Sequence, residues 1–325
     1  MNEDIKTSYS AAGEVPLKVV LNENIRNSMK YGSVIPMTHI QLLPTNKCNL
    51  NCPWCSCSER DKAQELTIGQ IYDVMSDAKD CGCEAVTITG GGEPLLHPKI
   101  NNIISDIHNL GIEIGLVTNG TQFDKLLSET YEKITWIRIS SGDHREWTEE
   151  YRDSLEKAVQ TGENVDWAFS HVVSAKPNYH TITNVVQFAN NHGFTHVRLV
   201  SDLLDLDNVE LDEVRTELEK ENIDDSLVNY QKRQTYVQGA KDCLISLLKP
   251  VIGADGKIYA CCGIQYAFPE EHRDLVQPMG DYTELKRIYQ QQEHLDGSKC
   301  VKCYYDHYNT LLSAMKKEIK HERFA

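Results

Sequence analysis

The sequence predicts an α/β fold built on a parallel sheet, and three observations carry that prediction. From about residue 38 to 201, short apolar runs alternate with amphipathic segments at helical spacing, the pattern of successive βα units. Gly82, Gly111 and Gly193 each follow a helical segment, where a left-handed residue ends a helix. Polar or glycine-rich turns follow the strand candidates, the end at which βα folds place their chemistry.

The first strand, 39–43, leads into a cysteine-bearing loop. The first helix, 67–80, opens on a capping-box pair, Thr67 and Gln70, and carries Ile68, Ile71, Val74, Met75 and Ala78 on one face. The strand 85–89 is apolar enough to be buried on both faces, and a helix over 98–110 follows it. Strands at 112–117, 135–140, 166–173 and 195–200 alternate with helices near 121–132, 146–160 and 180–192. Six units result, fewer than the eight of a closed barrel. Alternation along the strands puts Arg138 with Ser140, Asp166 with Ser170, and His196 with Arg198 on shared faces. A cavity holding polar ligands selects such residues and an apolar core does not. Arg138 and Arg198 are therefore catalytic candidates, joined by Asp143 after the fourth strand. Ordinary strand-end solvation competes for Asp166 and His196, and His97, His144 and His171 read as structural or surface groups.

At 325 residues the chain has room for one large domain and a smaller annex. Lysine and arginine number 33 against 48 acidic residues, and the net charge of −15 argues against general nucleic-acid or anionic-membrane binding. Between 202 and 225, eleven acidic residues face two basic ones, which reads as a solvated helical connector. No apolar run approaches the roughly eighteen residues of a membrane span, and the N-terminus lacks a signal-peptide pattern. Eleven cysteines, an odd number in tight spacings, then point to reduced thiols in a cytoplasmic protein.

Two motifs carry the chemistry. Cys48, Cys52 and Cys55, with Trp54 before the last, offer three thiolates, which hold three irons of a cubane iron-sulfur cluster and leave the fourth iron open. Gly90, Gly91, Gly92, Glu93 and Pro94 follow the strand 85–89, where glycine lets backbone approach a ligand and an anionic Glu93 suits an ammonium group. Cys57 would complete a four-cysteine zinc knuckle, and a glycine turn needs no ligand to form. Both motifs in this order at strand ends favour the cluster, with Cys57 as a spare thiol.

In these two motifs the chain resembles the radical S-adenosylmethionine (radical SAM) superfamily. The resemblance covers about half the chain and implies a partial (βα)6 TIM-like barrel. It implies a [4Fe-4S] cluster on Cys48, Cys52 and Cys55, whose open iron is chelated by the amino and carboxylate groups of SAM. Gly91, Gly92 and Glu93 would receive the amino group, Trp54 would lie by the adenine, and Asn119 and Ser140 stand where the family contacts ribose and carboxylate. A simple turn is the competing account of Asn119-Gly120.

Downstream, Cys243, Gly256 and Cys261, then Cys300 and Cys303, surround a hairpin candidate, Ile252 to Ala260, with Asp255-Gly256 at its turn. This resembles the twitch domain, a shortened SPASM domain, and implies a second, auxiliary [4Fe-4S] cluster on Cys243, Cys261, Cys300 and Cys303 in a small C-terminal α+β domain. Cys262 is the alternative to Cys261, and a four-thiolate zinc site is the alternative to the cluster. The expected organisation is an N-terminal extension (1–37), a barrel core (38–201), an acidic helical connector (202–242) and the auxiliary-cluster domain with a C-terminal helix (243–325). The expected enzyme cleaves SAM reductively and abstracts a substrate hydrogen. It performs a redox change on a small polar metabolite, with the auxiliary cluster as electron acceptor and flavodoxin or ferredoxin as reductant. Peptide or protein side-chain modification is the second expectation, for which the 47 residues before Cys48 are short of a leader-recognition domain. A zinc-stabilised binding module is the third.

Overall fold

All six predicted strands form: β1 (His39–Leu42), β2 (Ala85–Ile88), β3 (Glu113–Thr118), β4 (Trp136–Gly142), β5 (Asp166–Val173) and β6 (His196–Ser201). Each pairs parallel with the next. The computed structural model describes residues 16–31, 34–205, 208–231, 237–265, 277–301 and 303–317. The first connecting helix, Ile68–Asp80, starts as its sequence dictates: Gln70 N donates to Thr67 Oγ1 at 3.2 Å and Thr67 N to Gln70 Oε1 at 2.9 Å. Ile71, Val74, Met75 and Ala78 are its buried face, and Gly82, Gly111 and Gly193 take φ of +93°, +69° and +67° after their helices.

The helix expected over 121–132 is broken into a 3-10 turn, Phe123–Lys125, and a short helix, Ser128–Tyr131. Asn101 causes the break: its amide donates to Lys125 O at 2.8 Å, and its oxygen accepts from Leu127 N at 3.0 Å and Thr130 Oγ1 at 2.7 Å. Those bonds satisfy backbone groups that a continuous helix would have paired internally.

The segment read as an acidic helical connector holds a helix, Leu211–Lys220, and then a seventh parallel strand, β7 (Val228–Gln231), beside β6. Residues 206–207 and 232–236 of this segment lie outside the described residues. Farther on come β8 (Asp242–Cys243), β9 (Val251–Ile252), β10 (Lys257–Tyr259), β11 (Gly280–Asp281) and β12 (Leu295–Asp296). The predicted hairpin is β9 and β10, turning at Gly256 with φ +75°. Its first strand pairs parallel with β1, Gln41 opposite Val251, so one ten-stranded sheet runs β11-β10-β9-β1-β2-β3-β4-β5-β6-β7. β8 and β12 form a separate antiparallel ribbon.

One apolar cluster packs the barrel against its helices. A second joins Val19, Ile25, Met29 and Ile35 to Leu244, Ile245, Leu247, Leu248 and Leu312. The described part of the expected N-terminal extension, helices Leu17–Leu21 and Glu23–Tyr31, is therefore packed onto the C-terminal segment; 1–15 and 32–33 lie outside the described residues. Each such side chain taken fully from water contributes about 1.5–3 kcal/mol. The C-terminal helix is Asp306–Met315, and 318–325 lie outside the described residues. No helix among the described residues is long and apolar enough to cross a membrane.

Candidate active site

The cysteine loop and the glycine turn are laced together. Gly92 N donates to Thr45 O at 3.1 Å and Glu93 N to Lys47 O at 2.7 Å. The approach is too close for any side chain, because a Cβ on Gly92 would lie 2.0 Å from Lys47 O and one on Gly90 would lie 1.9 Å from Gly92 O. The loop itself is pinned by Arg60, whose Nε donates to Asn46 O at 2.9 Å and whose Nη1 donates to Cys55 Sγ at 3.4 Å. Cys55 is held below the usual thiol range, first by a hydrogen bond from Cys57 and then by Arg60; Cys57 is raised well above it by that same bond and by burial. Burial raises Cys52, against the pull of Arg145, which hydrogen-bonds it.

These residues open on one cavity of about 1720 Å³ that runs through the barrel. Cys48, Cys52, Trp54, Cys55, Gly91, Gly92, Asn119, Ser140, Arg138 and Arg198 all line it, and so do Cys243, Cys261, Cys300 and Cys303. Topology thus brings both cysteine groups to one space. Among the described residues, no three Cys, His, Asp or Glu side chains gather closely enough to hold a single metal ion.

Glu93, expected as a partner for an ammonium group, lines the cavity but is 2% exposed, and three donors already engage its carboxylate: Oε1 accepts from Thr118 Oγ1 at 2.7 Å and Leu95 N at 3.0 Å, and Oε2 accepts from Asn119 N at 2.6 Å. Burial raises its pKa, opposed by these donors. Its work is to clamp the end of β3 to the glycine turn. Asn119 is a second hub, donating to Asn49 Oδ1 at 3.0 Å, accepting from Thr121 N at 2.9 Å, and accepting Arg145 at its carbonyl. Trp54 packs its ring on Gly142, where a Cβ would meet it at 2.3 Å, and stacks on His144 at 5.4 Å.

Asp143, a catalytic candidate from sequence, is placed elsewhere. It is buried outside the cavity lining, with Oδ1 on His171 Nε2 at 2.9 Å and Oδ2 accepting from Ser174 N at 2.7 Å. Burial alone would raise its pKa, yet His171 and Ser174 hold it below the usual range. The pair ties β4 to β5. Arg138 and Arg198 do face the cavity; Arg138 lies 5.4 Å over the Trp136 ring, and Arg198 donates to Gln231 Oε1 at 2.7 Å. His97 is structural as expected, bonded to Leu66 O at 2.8 Å. Among the lining residues that escaped the sequence reading are Arg145, Lys249 and Tyr305, which belong to no motif and reach the cavity only through the fold.

In the auxiliary group, burial pushes Cys243 up to about 12, helped by Cys303 and Cys300, and burial then Cys303 raises Cys300, so the three lie near enough to act on one another. Cys303 N donates to Val237 O at 2.7 Å and Gly239 N to Cys300 O at 2.8 Å, which fixes the Cys300–Cys303 loop beside β8. Cys261 and Cys262 both line the same cavity; Cys261 is half-buried, and Cys262 is exposed with its sulfur 3.5 Å from Tyr305 Oη.

Comparison with known proteins adds to this geometry. Residues 42–206 match the model of the radical SAM superfamily. The chain is similar to a probable GTP 3′,8-cyclase of Methanothermobacter thermautotrophicus, 26% identical over 179 residues, 49% of this chain and 55% of that one. A protein of the same description from Archaeoglobus fulgidus is 33% identical over 104 residues, 32% of this chain and 34% of that one. The chain therefore spans about half the length, or less, of these curated relatives. Among solved structures, Streptococcus suis SuiB bound to the precursor peptide SuiA aligns with TM-score 0.59 at 14% identity, covering 84% of this chain and 70% of that one. The anSMEcpe enzyme with bound AdoMet and a peptide aligns with TM-score 0.54 at 12% identity, covering 89% and 86%. These structures share the fold. With half the chain matched from the end of β1 to just past β6, and both expected motifs at the ends of parallel strands, the chain belongs to the radical SAM superfamily.

Proposed function

We propose that this enzyme binds a [4Fe-4S] cluster through Cys48, Cys52 and Cys55, cleaves SAM reductively, and abstracts a hydrogen atom from a small polar substrate held in the barrel. The observation that carries this reading is the lacing of the cysteine loop to the glycine turn by Gly92 N and Glu93 N, at a separation only glycine permits. Bound there, the cluster and SAM supply a 5′-deoxyadenosyl radical. The chain's own residues do the positioning. Glu93 clamps Thr118 and Asn119 beneath the turn, leaving the backbone carbonyls of Gly91 and Gly92 to receive the SAM amino group. Ser140 and Asn119 stand at neighbouring strand ends to orient the nucleoside. Trp54 is held by Gly142 and His144, which fixes one wall of the adenine region.

A second cluster on Cys243, Cys261, Cys300 and Cys303, in a twitch-like C-terminal domain, would supply an electron acceptor, making the net reaction an oxidation. Support comes from the mutual proximity of Cys243, Cys300 and Cys303 and from the opening of all four cysteines on the substrate cavity. Exposure of Cys262 favours Cys261 as the fourth ligand. Family membership sets the zinc-stabilised binding module aside. Side-chain modification of a peptide is the second reading, favoured by the large cavity and by fold neighbours determined with peptides bound. Anaerobic reconstitution tests the proposal. About eight irons per chain are expected for two clusters, with release of 5′-deoxyadenosine under dithionite that Cys52→Ala abolishes. Fully loaded protein that releases none refutes it.

A further inference from the structure

We propose that the middle of the barrel cavity is a seat for an anionic group of the substrate, a carboxylate or a phosphate, gripped by Arg138, Arg198 and Lys249. This rests on the reading of the cavity as a substrate site. The three cations come from well-separated points of the wall. Arg138 is on β4 and pairs in register with Ala168; Arg198 is on β6 and pairs with Ser170, two residues farther along β5, so both occupy the same face of the sheet. Lys249 arrives from the opposite side, immediately before β9, where Gln41 N donates to Pro250 O at 2.9 Å and sets it beside β1. All three line the one cavity.

Burial first, and the positive field second, act on three groups there. Lys249 is lowered to about 8 by burial, with Arg138, Arg198 and Lys18 adding to the effect. Burial, then Arg198 and Arg138, lowers His196 to about 4; burial, then Lys249 and Lys18, lowers His39 well below its usual range. Both histidines are thus neutral at pH 7, and the lysine remains a cation. The largest charges acting on Lys249 come from Cys262, Arg138, Arg198 and Lys18, none of them a carboxylate. Among the described residues five carboxylates also line the cavity: Glu84, Glu113 and Asp166 at the start of β2, β3 and β5, Asp306 at the start of the C-terminal helix, and Glu93 as described, with Glu84 engaged by Asn22 at 3.2 Å.

Arg198 is held for such a task. Its Nε and Nη2 donate to Gln231 Oε1 at 3.1 and 2.7 Å, and Gln231 Nε2 donates to Tyr304 Oη at 3.0 Å, which fixes the guanidinium plane. Arg138 is the third of seven residues in β4, below Ser140 and the strand end that carries the SAM-side residues. An anion seated there holds the rest of the substrate toward the cysteine loop.

The test is calorimetric titration of cluster-loaded protein at pH 7, with SAM present to fill its own site. Pyrophosphate and succinate serve as probes. At least one is expected to bind, and the stronger of the two assigns the anion as phosphate or carboxylate. Affinity is expected to fall at least tenfold in Lys249→Met and in Arg138→Gln, with iron content and thermal midpoint reporting that each variant is folded. Binding by neither probe, or undiminished binding in a folded variant of either residue, overturns the seat. Failure to release 5′-deoxyadenosine while a probe still binds would instead overturn the SAM reading and leave the seat standing.

Discussion

Replacing Gly92 with alanine tests the join between the two motifs directly. The new Cβ would sit 2.0 Å from Lys47 O and 2.5 Å from Asn46 C, both backbone atoms of the cysteine loop that cannot rotate away. A carbon and a carbonyl oxygen approach to about 3.3 Å at closest, so turn and loop must separate by about 1 Å or more. That movement breaks the bonds from Gly92 N and Glu93 N. Their net worth is about 1 kcal/mol each and overpacking costs about 1–3 kcal/mol, so a destabilisation of roughly 3–5 kcal/mol is expected. In molecules that remain folded, a shift of about 1 Å beside the SAM site is expected to slow 5′-deoxyadenosine release by about a hundredfold. Gly69→Ala is the control, since its Cβ meets nothing nearer than Thr67 Oγ1 at 4.0 Å and a helical alanine changes stability by less than about 1 kcal/mol. Denaturant unfolding and single-turnover SAM cleavage read the two effects separately. A Gly92→Ala protein that unfolds and cleaves SAM like wild type would show that the laced turn does not organise the site.

Acid titration gives a second expectation. His196 has a folded pKa of about 4 against an ordinary 6.5, so between those values the unfolded chain binds a proton that the native chain refuses. Stability therefore drops as pH falls through that window, by up to about 3 kcal/mol, and His196→Asn should flatten the slope; an unchanged slope would exclude His196 as its source. Asp143→Asn should cost about 1–3 kcal/mol by weakening the buried contact with His171, as measured by urea unfolding at pH 7. Because the Asp143 carboxyl is held below its usual range, that contribution is present at neutral pH and lost in acid, and equal stability of the two proteins at pH 7 would contradict it. Cys300→Ala should lower bound iron from about eight to about four per chain; retention of the full complement would remove Cys300 from the auxiliary site.

What could be read from the sequence was local. The capping box of Thr67 and Gln70, the helix-ending glycines and the six strands each occupy a short window whose periodicity or residue type decides the conformation. β7 escaped because it lies in a segment whose charge reads as a helical connector, and the pairing of β9 with β1 escaped because no local window shows it; both depend on distant partners, on β6 and β1. Glu93 shows the same limit at a single residue. Its charge suggests a ligand, but charge does not reveal that Thr118 and Asn119, at the next strand's end, also engage the carboxylate. Net charge misled by averaging in a similar way. The acidic surplus is strongest over residues 202–225, yet the barrel interior collects Arg138, Arg198 and Lys249. Solvent screens exposed charges beyond about 8–10 Å, whereas enclosed charges act on one another through a poorly screening medium. The sign a substrate meets is therefore set by the few side chains that topology turns inward, and a chain of −15 can present a cationic interior.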